Sequence, residues 1–310
     1  MAKATSSLAS TPRELYLIGI GTGHSVAPPM HNYIARSLNL PWTFHTKECF
    51  TIEECMTLLQ SEVCAGAAVT MPYKGTILDR LDKVDELART LAACNTVYVD
   101  ADGKLRGTNV DWCGIAGSLS EGAIGLDLPS TKAAIVIGAG GAARAAVYAL
   151  SSQMRCYEIY ILNRDKEEVL RLKRDVQERY ASRPSITHVQ SVKQAQALST
   201  PTYIVSTVPD VEPITPEEKT LKTLLATFLE RTDKGIMLDM CYNPRRTRHI
   251  KLGQTFGWRT IEGMHVIGHQ AEHQWRAWAG DERIQNLDKK GLWECLRQSA
   301  DESPIVNSKI

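Results

Sequence analysis

The run Gly138-Ala139-Gly140-Gly141-Ala142-Ala143 offers chemistry without a reactive side chain. It fits G-x-G-x-x-[G/A]: the first glycine makes a tight turn, the second lets backbone amides approach a pyrophosphate, and a small residue at Ala143 permits close helix–strand packing. A helix opening there points unpaired N–H groups and its positive dipole end at phosphate oxygens. A second pattern competes with the first. His269-Gln270-Ala271-Glu272-His273 matches H-x-x-E-H, a zinc-peptidase pattern, and His265 precedes it by one turn. On a helix these histidines share one face, and two histidines with a base can make a hydrolytic zinc site. A peptidase would leave the glycine run idle, so the histidines read as partly exposed helix residues and no metal is expected.

The glycine run is specific only between a strand and a helix. Residues 133–137 are continuously apolar, as in a strand buried on both faces, and 142–150 read as a helix. Strands at 158–162, 203–205 and 235–238 follow. Strand–helix alternation at this spacing implies a parallel, doubly wound sheet. Upstream, the strand-like 14–19 runs into a Gly-rich turn and 30–38 reads as a helix. Residues 65–69 form a short apolar strand stopped by Thr70-Met71-Pro72, and 94–99 form another. Beyond Gly263 the pattern is helical to about residue 299. The fold class is α/β, with residues 14–113 and 114–264 as two domains, helices over 265–300, a tail expected to be flexible at 1–13 and a further tail at 301–310.

A length of 310 residues suits about two domains. A net charge of +1 without runs of one sign asks for neither nucleic acid nor a membrane partner. The longest apolar stretch, 133–143, falls short of the roughly 18 residues a spanning helix needs. Residues 1–13 lack the apolar core of a secretory leader. Eight scattered cysteines without C-x-x-C read as reduced thiols, and a cytoplasmic location is expected. Ser308-Lys309-Ile310 stands one residue from the peroxisomal address S-K-L, a weak signal.

Seven motifs, in order over roughly residues 15–280, resemble the shikimate/quinate dehydrogenase family. Gly21-Thr22-Gly23-His24-Ser25-Val26-Ala27-Pro28-Pro29-Met30-His31-Asn32 is similar to G-x-x-x-x-H-S-x-S-P-x-x-H-N. Val69-Thr70-Met71-Pro72-Tyr73-Lys74 is like N-V-T-x-P-x-K without its Asn. Ala93-Cys94-Asn95-Thr96 resembles G-A-x-N-T, and Gly107-Thr108-Asn109-Val110-Asp111 resembles G-x-N-T-D. The glycine run with Asn163-Arg164, then Asp239-Met240-Cys241-Tyr242-Asn243-Pro244 and the segment from Gly263-Met264 to Gln270-Ala271, complete the series. The resemblance implies a substrate-binding domain over 14–113, a Rossmann-type NAD(P) domain over 114–264, C-terminal helices packed back on the first domain, and a reaction centre in the cleft between domains. It places the catalytic pair on Lys74 and Asp111. It places substrate contacts on Ser25, Thr70, Asn95, Tyr242 and Gln270. Cofactor contacts fall on Gly138, Ala139, Gly140, Gly141, Ala142, Asn163, Arg164, Asp165, Met240 and Gly263. The partners are then a nicotinamide dinucleotide and a small cyclic polyol acid.

The implied reaction removes a hydroxyl proton as hydride leaves the ring carbon. A lysine with an ordinary pKa of about 10.4 serves as base only if that value is lowered; otherwise it acts as a charged donor. A neighbouring carboxylate raises a lysine's pKa and holds it in place, so both roles stay open for Lys74. Ala27, Ala68 and Val110 replace a serine, an asparagine and a threonine of the family pattern. Each removes a polar group from or near the pocket, makes room, and leads us to expect quinate to be turned over at least as well as shikimate. NADP-using relatives resemble N-R-T with a further arginine three residues later; here Asp165 and Glu168 stand at those two positions, so NAD is expected over NADP. A flavin is disfavoured because one glycine loop serves one dinucleotide. Two other readings compete: an NADP-dependent shikimate dehydrogenase, and a non-catalytic dehydrogenase-like sensor. Retention of Lys74, Asp111, Asn95 and Gln270 together favours the enzyme.

Overall fold

A computed structural model describes residues 11–308. The chain divides into two compact units. One takes in the chain up to Val110 together with Gln270–Ile305; the other takes in Asp111–His269 and the chain from Val306 on. Residues 1–10 of the expected tail, and Lys309 and Ile310 of the expected Ser308-Lys309-Ile310 signal, lie outside the described residues.

The first unit is built on a six-stranded sheet of order β2-β1-β3-β5-β6-β4. Its strands are β1 (Arg13–Gly19), β2 (Trp42–Glu48), β3 (Cys64–Val69), β4 (Lys83–Val84), β5 (Thr96–Val99) and β6 (Leu105–Thr108). β1 runs parallel to β2 and β3, whereas β5 runs antiparallel to β3 and β6. The central β3 is buried along its whole length, which its small apolar residues allow. The helix Ala27–Ser37 opens with Pro28 and Pro29, tolerated because the first-turn N–H groups have no partner inside the helix. That helix buries Met30, His31, Ile34 and Ala35. Asn32 then grips β2: its Nδ2 donates to the Phe44 carbonyl at 3.1 Å and its Oδ1 accepts from Phe44 N–H at 2.7 Å. His31 stacks on Phe44 at 4.2 Å and accepts from Trp275 Nε1 at 3.0 Å. The His-Asn pair of the first motif therefore builds the fold. Ser299 Oγ donates to the Val26 carbonyl at 3.0 Å, which ties the helix Lys289–Glu302 to the start of this helix.

The second unit is built on a parallel six-stranded sheet of order β12-β11-β10-β7-β8-β9. The strands are β7 (Ala133–Ile137), β8 (Glu158–Leu162), β9 (Ser185–His188), β10 (Tyr203–Ser206), β11 (Ile236–Asp239) and β12 (Arg259–Ile261). Read from β9, this is the 3-2-1-4-5-6 order of the dinucleotide-binding fold, with the order reversing between β7 and β10. β7 is fully buried, and each such Ile or Val contributes about 1.5–3 kcal/mol. The glycine run leads into the helix Gly141–Tyr148, which continues as a π-helical turn over Ala149–Gln153. The helix Met264–Ala279 holds the boundary between the units at His269/Gln270.

Candidate active-site residues

In the first unit, the residues singled out by the motifs gather where β1, β3 and β6 end and β5 begins. Main-chain bonds stitch these ends together. Thr70 N–H donates to the Ile18 carbonyl at 2.9 Å and Val69 N–H to the Asn95 carbonyl at 2.7 Å. Cys94 N–H donates to the Lys74 carbonyl at 2.7 Å and Asn95 N–H to the Thr108 carbonyl at 3.1 Å. Asn95 is buried, and its Oδ1 accepts from Val110 N–H at 2.8 Å and from Thr96 Oγ1 at 2.9 Å. Its Nδ2 faces Gln270 Oε1 at 3.5 Å, the outer limit of a hydrogen bond. The structure thus brings Asn95 and Gln270 together and ties the backbones of Thr70 and Lys74 to the same strand ends. The Lys74 side chain is half-buried; Asp111, which opens the second unit, is buried at the first position of the helix Asp111–Gly122. Ala27, Ala68 and Val110 are all buried, so the exchanges took polar groups out of the interior rather than off the surface.

Ser25 follows the short helical turn Thr22–His24, and its Oγ accepts from Ala27 N–H at 3.2 Å. The turn is gripped from β2. Glu48 accepts from Gly21 N–H, from Thr22 N–H at 3.1 Å and from Thr22 Oγ1 at 3.3 Å. The Gly21 N–H is the main cause holding the Glu48 carboxyl below its ordinary range, with the Thr22 donors adding to it. Nothing in the sequence around Glu48 marks it, because its partners lie on another strand's loop.

In the second unit the loop after β7 is shaped by what it lacks. Gly138 has φ +111°, and a Cβ there would stand 2.5 Å from Thr207 Oγ1 in the segment after β10. The two loops therefore meet at the reversal of strand order. Gly140 caps the helix Gly141–Tyr148 without any side-chain hydrogen bond, and a Cβ on it would meet nothing within 4 Å. Ala139 and Ala143 are buried, while Gly141 and Ala142 are half-buried. Open space over uncapped helical N–H groups suits a dinucleotide pyrophosphate in both shape and donor chemistry.

Beyond β8, Asn163 Nδ2 donates to Glu168 Oε2 at 3.0 Å and to the Asp165 carbonyl at 3.2 Å. Asp165 caps the helix Lys166–Arg179: its Oδ1 accepts from Glu167 N–H at 2.8 Å and Glu168 N–H at 3.1 Å. Arg164 NH1 pairs with Glu218 Oε1 at 2.5 Å. Beyond β11, Met240 N–H donates to the Ser206 carbonyl at 2.9 Å, and a Cβ on Gly263 would approach the Met240 carbonyl to 2.4 Å. Asp239, buried, accepts from Cys241 N–H at 3.1 Å and Thr247 Oγ1 at 2.7 Å, fixing the turn that leads to the half-buried Tyr242.

The competing histidines find a different partner. His265 Nδ1 and His269 Nε2 lie 3.1 and 3.0 Å from a single oxygen, Glu121 Oε2. Burial pushes the Glu121 carboxyl up, but the two histidines outweigh it and hold the carboxyl below its ordinary range. Among the described residues, no group of three or more His, Cys, Asp or Glu is placed to hold a metal.

Residues 17–97 match the family model for the shikimate dehydrogenase substrate-binding domain. Over 315 aligned residues the chain is 34% identical to the quinate dehydrogenase of Emericella nidulans, covering 95% of both chains. The chain belongs to the shikimate/quinate dehydrogenase family. It is also 36% identical over 272 residues to the pentafunctional AROM polypeptide of Kluyveromyces lactis, where the match takes in 86% of this chain and 17% of the polypeptide. Among solved structures, the shikimate 5-dehydrogenase of Thermus thermophilus in complex with NADP(H) and shikimate superposes with a TM-score of 0.71 at 25% identity, covering 93% of this chain and 99% of that one. The quinate dehydrogenase of Corynebacterium glutamicum in complex with NAD shares the fold, with a TM-score of 0.72 at 22% identity over 93% and 100% of the two chains. The family's architecture of an N-terminal substrate domain followed by a Rossmann domain is thus this chain's architecture. No helix among the described residues is long and apolar enough to cross a membrane.

Proposed function

We propose that this chain is a nicotinamide-dependent dehydrogenase that oxidises a ring hydroxyl of quinate or shikimate, with NAD preferred to NADP. The observation that carries the reading is the uncapped helix start at Gly140, open to a ligand and placed at the reversal of strand order in a chain of this family. Backbone amides from Gly138 to Ala142 would hold the pyrophosphate, with Met240 and Gly263 lining the neighbouring strand ends. The nicotinamide supplies the hydride acceptor when bound. The chain's own residues handle the rest. Lys74 and Asp111 hold and move the hydroxyl proton. Asn95, through Nδ2, together with Ser25, Thr70, Tyr242 and Gln270 binds the carboxylate and hydroxyls, whose burial unpaired would be costly. The scattered thiols, none of them in a disulfide among the described residues, support a cytoplasmic location.

NAD is favoured by the carboxylates beyond β8. The Asp165 cap uses Oδ1, and we assign Oδ2 to the ribose hydroxyls. A 2′-phosphate would meet Asp165 and Glu168 where NADP-using relatives resemble threonine and arginine. One like-charge contact at about 4 Å is worth up to roughly 4 kcal/mol at an effective dielectric near 20, before screening. A third of that is close to tenfold in affinity. A panel of quinate, shikimate and their dehydro forms with each cofactor tests the reading. The expected result is reduction of NAD by quinate at least as fast as by shikimate, with kcat/KM for NAD about tenfold above NADP. Ligand binding without cofactor reduction would favour the sensor reading instead, and equal or better use of NADP would reject the cofactor preference.

A further inference from the structure

The arginine that remains in the Asn163-Arg164 motif is paired with the first turn of a helix that follows β10. Arg164 NH1 stands 2.5 Å from Glu218 Oε1. Glu218 is the third residue of the helix Pro216–Leu229 and completes a capping box with Thr215. Its Oε2 accepts from Ile214 N–H at 2.9 Å and Thr215 N–H at 3.1 Å, while Thr215 Oγ1 accepts from Glu218 N–H at 3.2 Å. These main-chain donors, Ile214 first, hold the carboxyl below its ordinary range, so it stays ionised at neutral pH. One oxygen is fixed by backbone and the other points at the guanidinium. Glu218 is therefore a pre-positioned counter-charge and not a wandering surface acid. Its side chain is 18% exposed against 61% for Arg164, which fits an anchored acid and a reaching base.

We propose that Glu218 is a cofactor-specificity residue: it occupies Arg164 and so withdraws that guanidinium, at the end of β8, from a 2′-phosphate. The inference rests on the reading that this strand end faces the adenosine ribose. Glu218 adds a third carboxylate to the strand end that already carries Asp165 on the helix cap and Glu168 on Asn163. A dinucleotide with a free 2′-hydroxyl needs no cation there. A 2′-phosphate would have to break a bidentate-capable donor away from a carboxylate that the capping box holds in place. An exposed ion pair contributes little to stability, so the pairing is better explained by what it denies a ligand than by what it adds to the fold.

Glu218→Gln tests this, because the amide oxygen still accepts from Ile214 and Thr215 and preserves the cap. Two readouts are taken on the full chain: kcat/KM for NAD and NADP, and calorimetric binding of adenosine 2′,5′-bisphosphate against AMP. Glu218→Gln is expected to raise the NADP:NAD ratio and the bisphosphate:AMP affinity ratio about tenfold each. Arg164→Ala alone should move either ratio by less than about twofold, and in the Glu218→Gln background it should cancel the gain. Unchanged ratios in a Glu218→Gln protein of normal melting temperature, or a gain that survives Arg164→Ala, would overturn the proposal. Preference of the unmodified protein for NADP would reject the NAD reading instead, while the coupling between Glu218 and Arg164 would still decide the role of Glu218. If Glu218→Gln lowers the melting temperature, Thr215→Ala, which breaks the same cap but leaves the carboxylate, separates a stability effect from a charge effect: it should leave both ratios unchanged.

Discussion

At the strand ends of the first unit, the candidate residues Ser25, Asn95 and Gln270 have side chains already bonded to neighbours. At the strand ends of the second, the loop after β7 offers backbone amides and open space. Asn95 shows the first case: its oxygen accepts from Val110 N–H and Thr96 Oγ1, and its amide nitrogen faces Gln270. Gly140 shows the second, a position whose value lies in the absence of a Cβ. A polyol acid presents several hydroxyls with fixed directions, so its receptor needs side chains held in advance by a network of their own. A pyrophosphate presents diffuse charge, and a helix start with room above it is sufficient. The first kind of site should break when a polar partner is removed. The second should break when an atom is added.

The largest expected effect tests the side-chain half of this contrast. Lys74→Ala and Asp111→Asn should each lower kcat by roughly 100-fold, the usual scale of a general acid–base group, with KM for NAD nearly unchanged. Steady-state kinetics decide it, and a near-normal kcat in either variant removes that residue from the chemistry.

A smaller effect tests the backbone half. Gly138→Ala and Gly140→Ala add the same methyl group two residues apart. At Gly138 the methyl meets Thr207 Oγ1 in a backbone conformation with φ +111°, so the protein should lose about 1–3 kcal/mol of stability. At Gly140 the methyl meets nothing, and φ −78° suits alanine. The melting temperature should hold while KM for NAD rises about tenfold. Equal melting temperatures for the two variants would show that the loop is not built as described.

A further effect is a pH dependence carried by the first unit alone. Complete burial pushes the His31 imidazole down to about 3. In the unfolded chain the same ring takes up a proton below about pH 6.5. The unfolded state therefore binds more protons between those values, so the contribution of His31 is full above about pH 6.5 and is lost as pH falls toward 3. His31→Gln keeps an acceptor for Trp275 Nε1 and cannot titrate. The stability advantage of the natural protein over this variant should shrink from pH 7 to pH 4.5 in thermal melts. An advantage independent of pH in that range would mean His31 is not held neutral.

The readable and unreadable parts of the molecule follow the reach of each physical signal. β7, its glycines and the following helix are legible because burial on both faces, a left-handed turn and a helix start are written within ten neighbouring residues. The strands β4, β6, β9 and β12 are not: they hold two to four residues, and their partly exposed residues leave no continuous apolar run. β2 escapes notice because its burial alternates only over its first half. His31 and Asn32 are visible as a motif, but their use in gripping β2 is not.

Sequence alone determined the α/β class, the glycine loop between β7 and its helix, and the family, since each rests on local periodicity or on motifs read in order. Tertiary structure decided which partner each polar group takes. Asp165 could be read as a ribose acceptor or as a helix cap, and the fold makes its Oδ1 the cap. Arg164 could be read as a phosphate ligand, and the fold gives it Glu218 from the first turn of a helix beyond β10. Thr22 and Gly21 are claimed by Glu48 at the end of β2, and His265 and His269 by Glu121. The physical reason is range. A hydrogen bond or ion pair forms or fails within a fraction of an ångström, and the chain segments that meet there carry no local mark of one another.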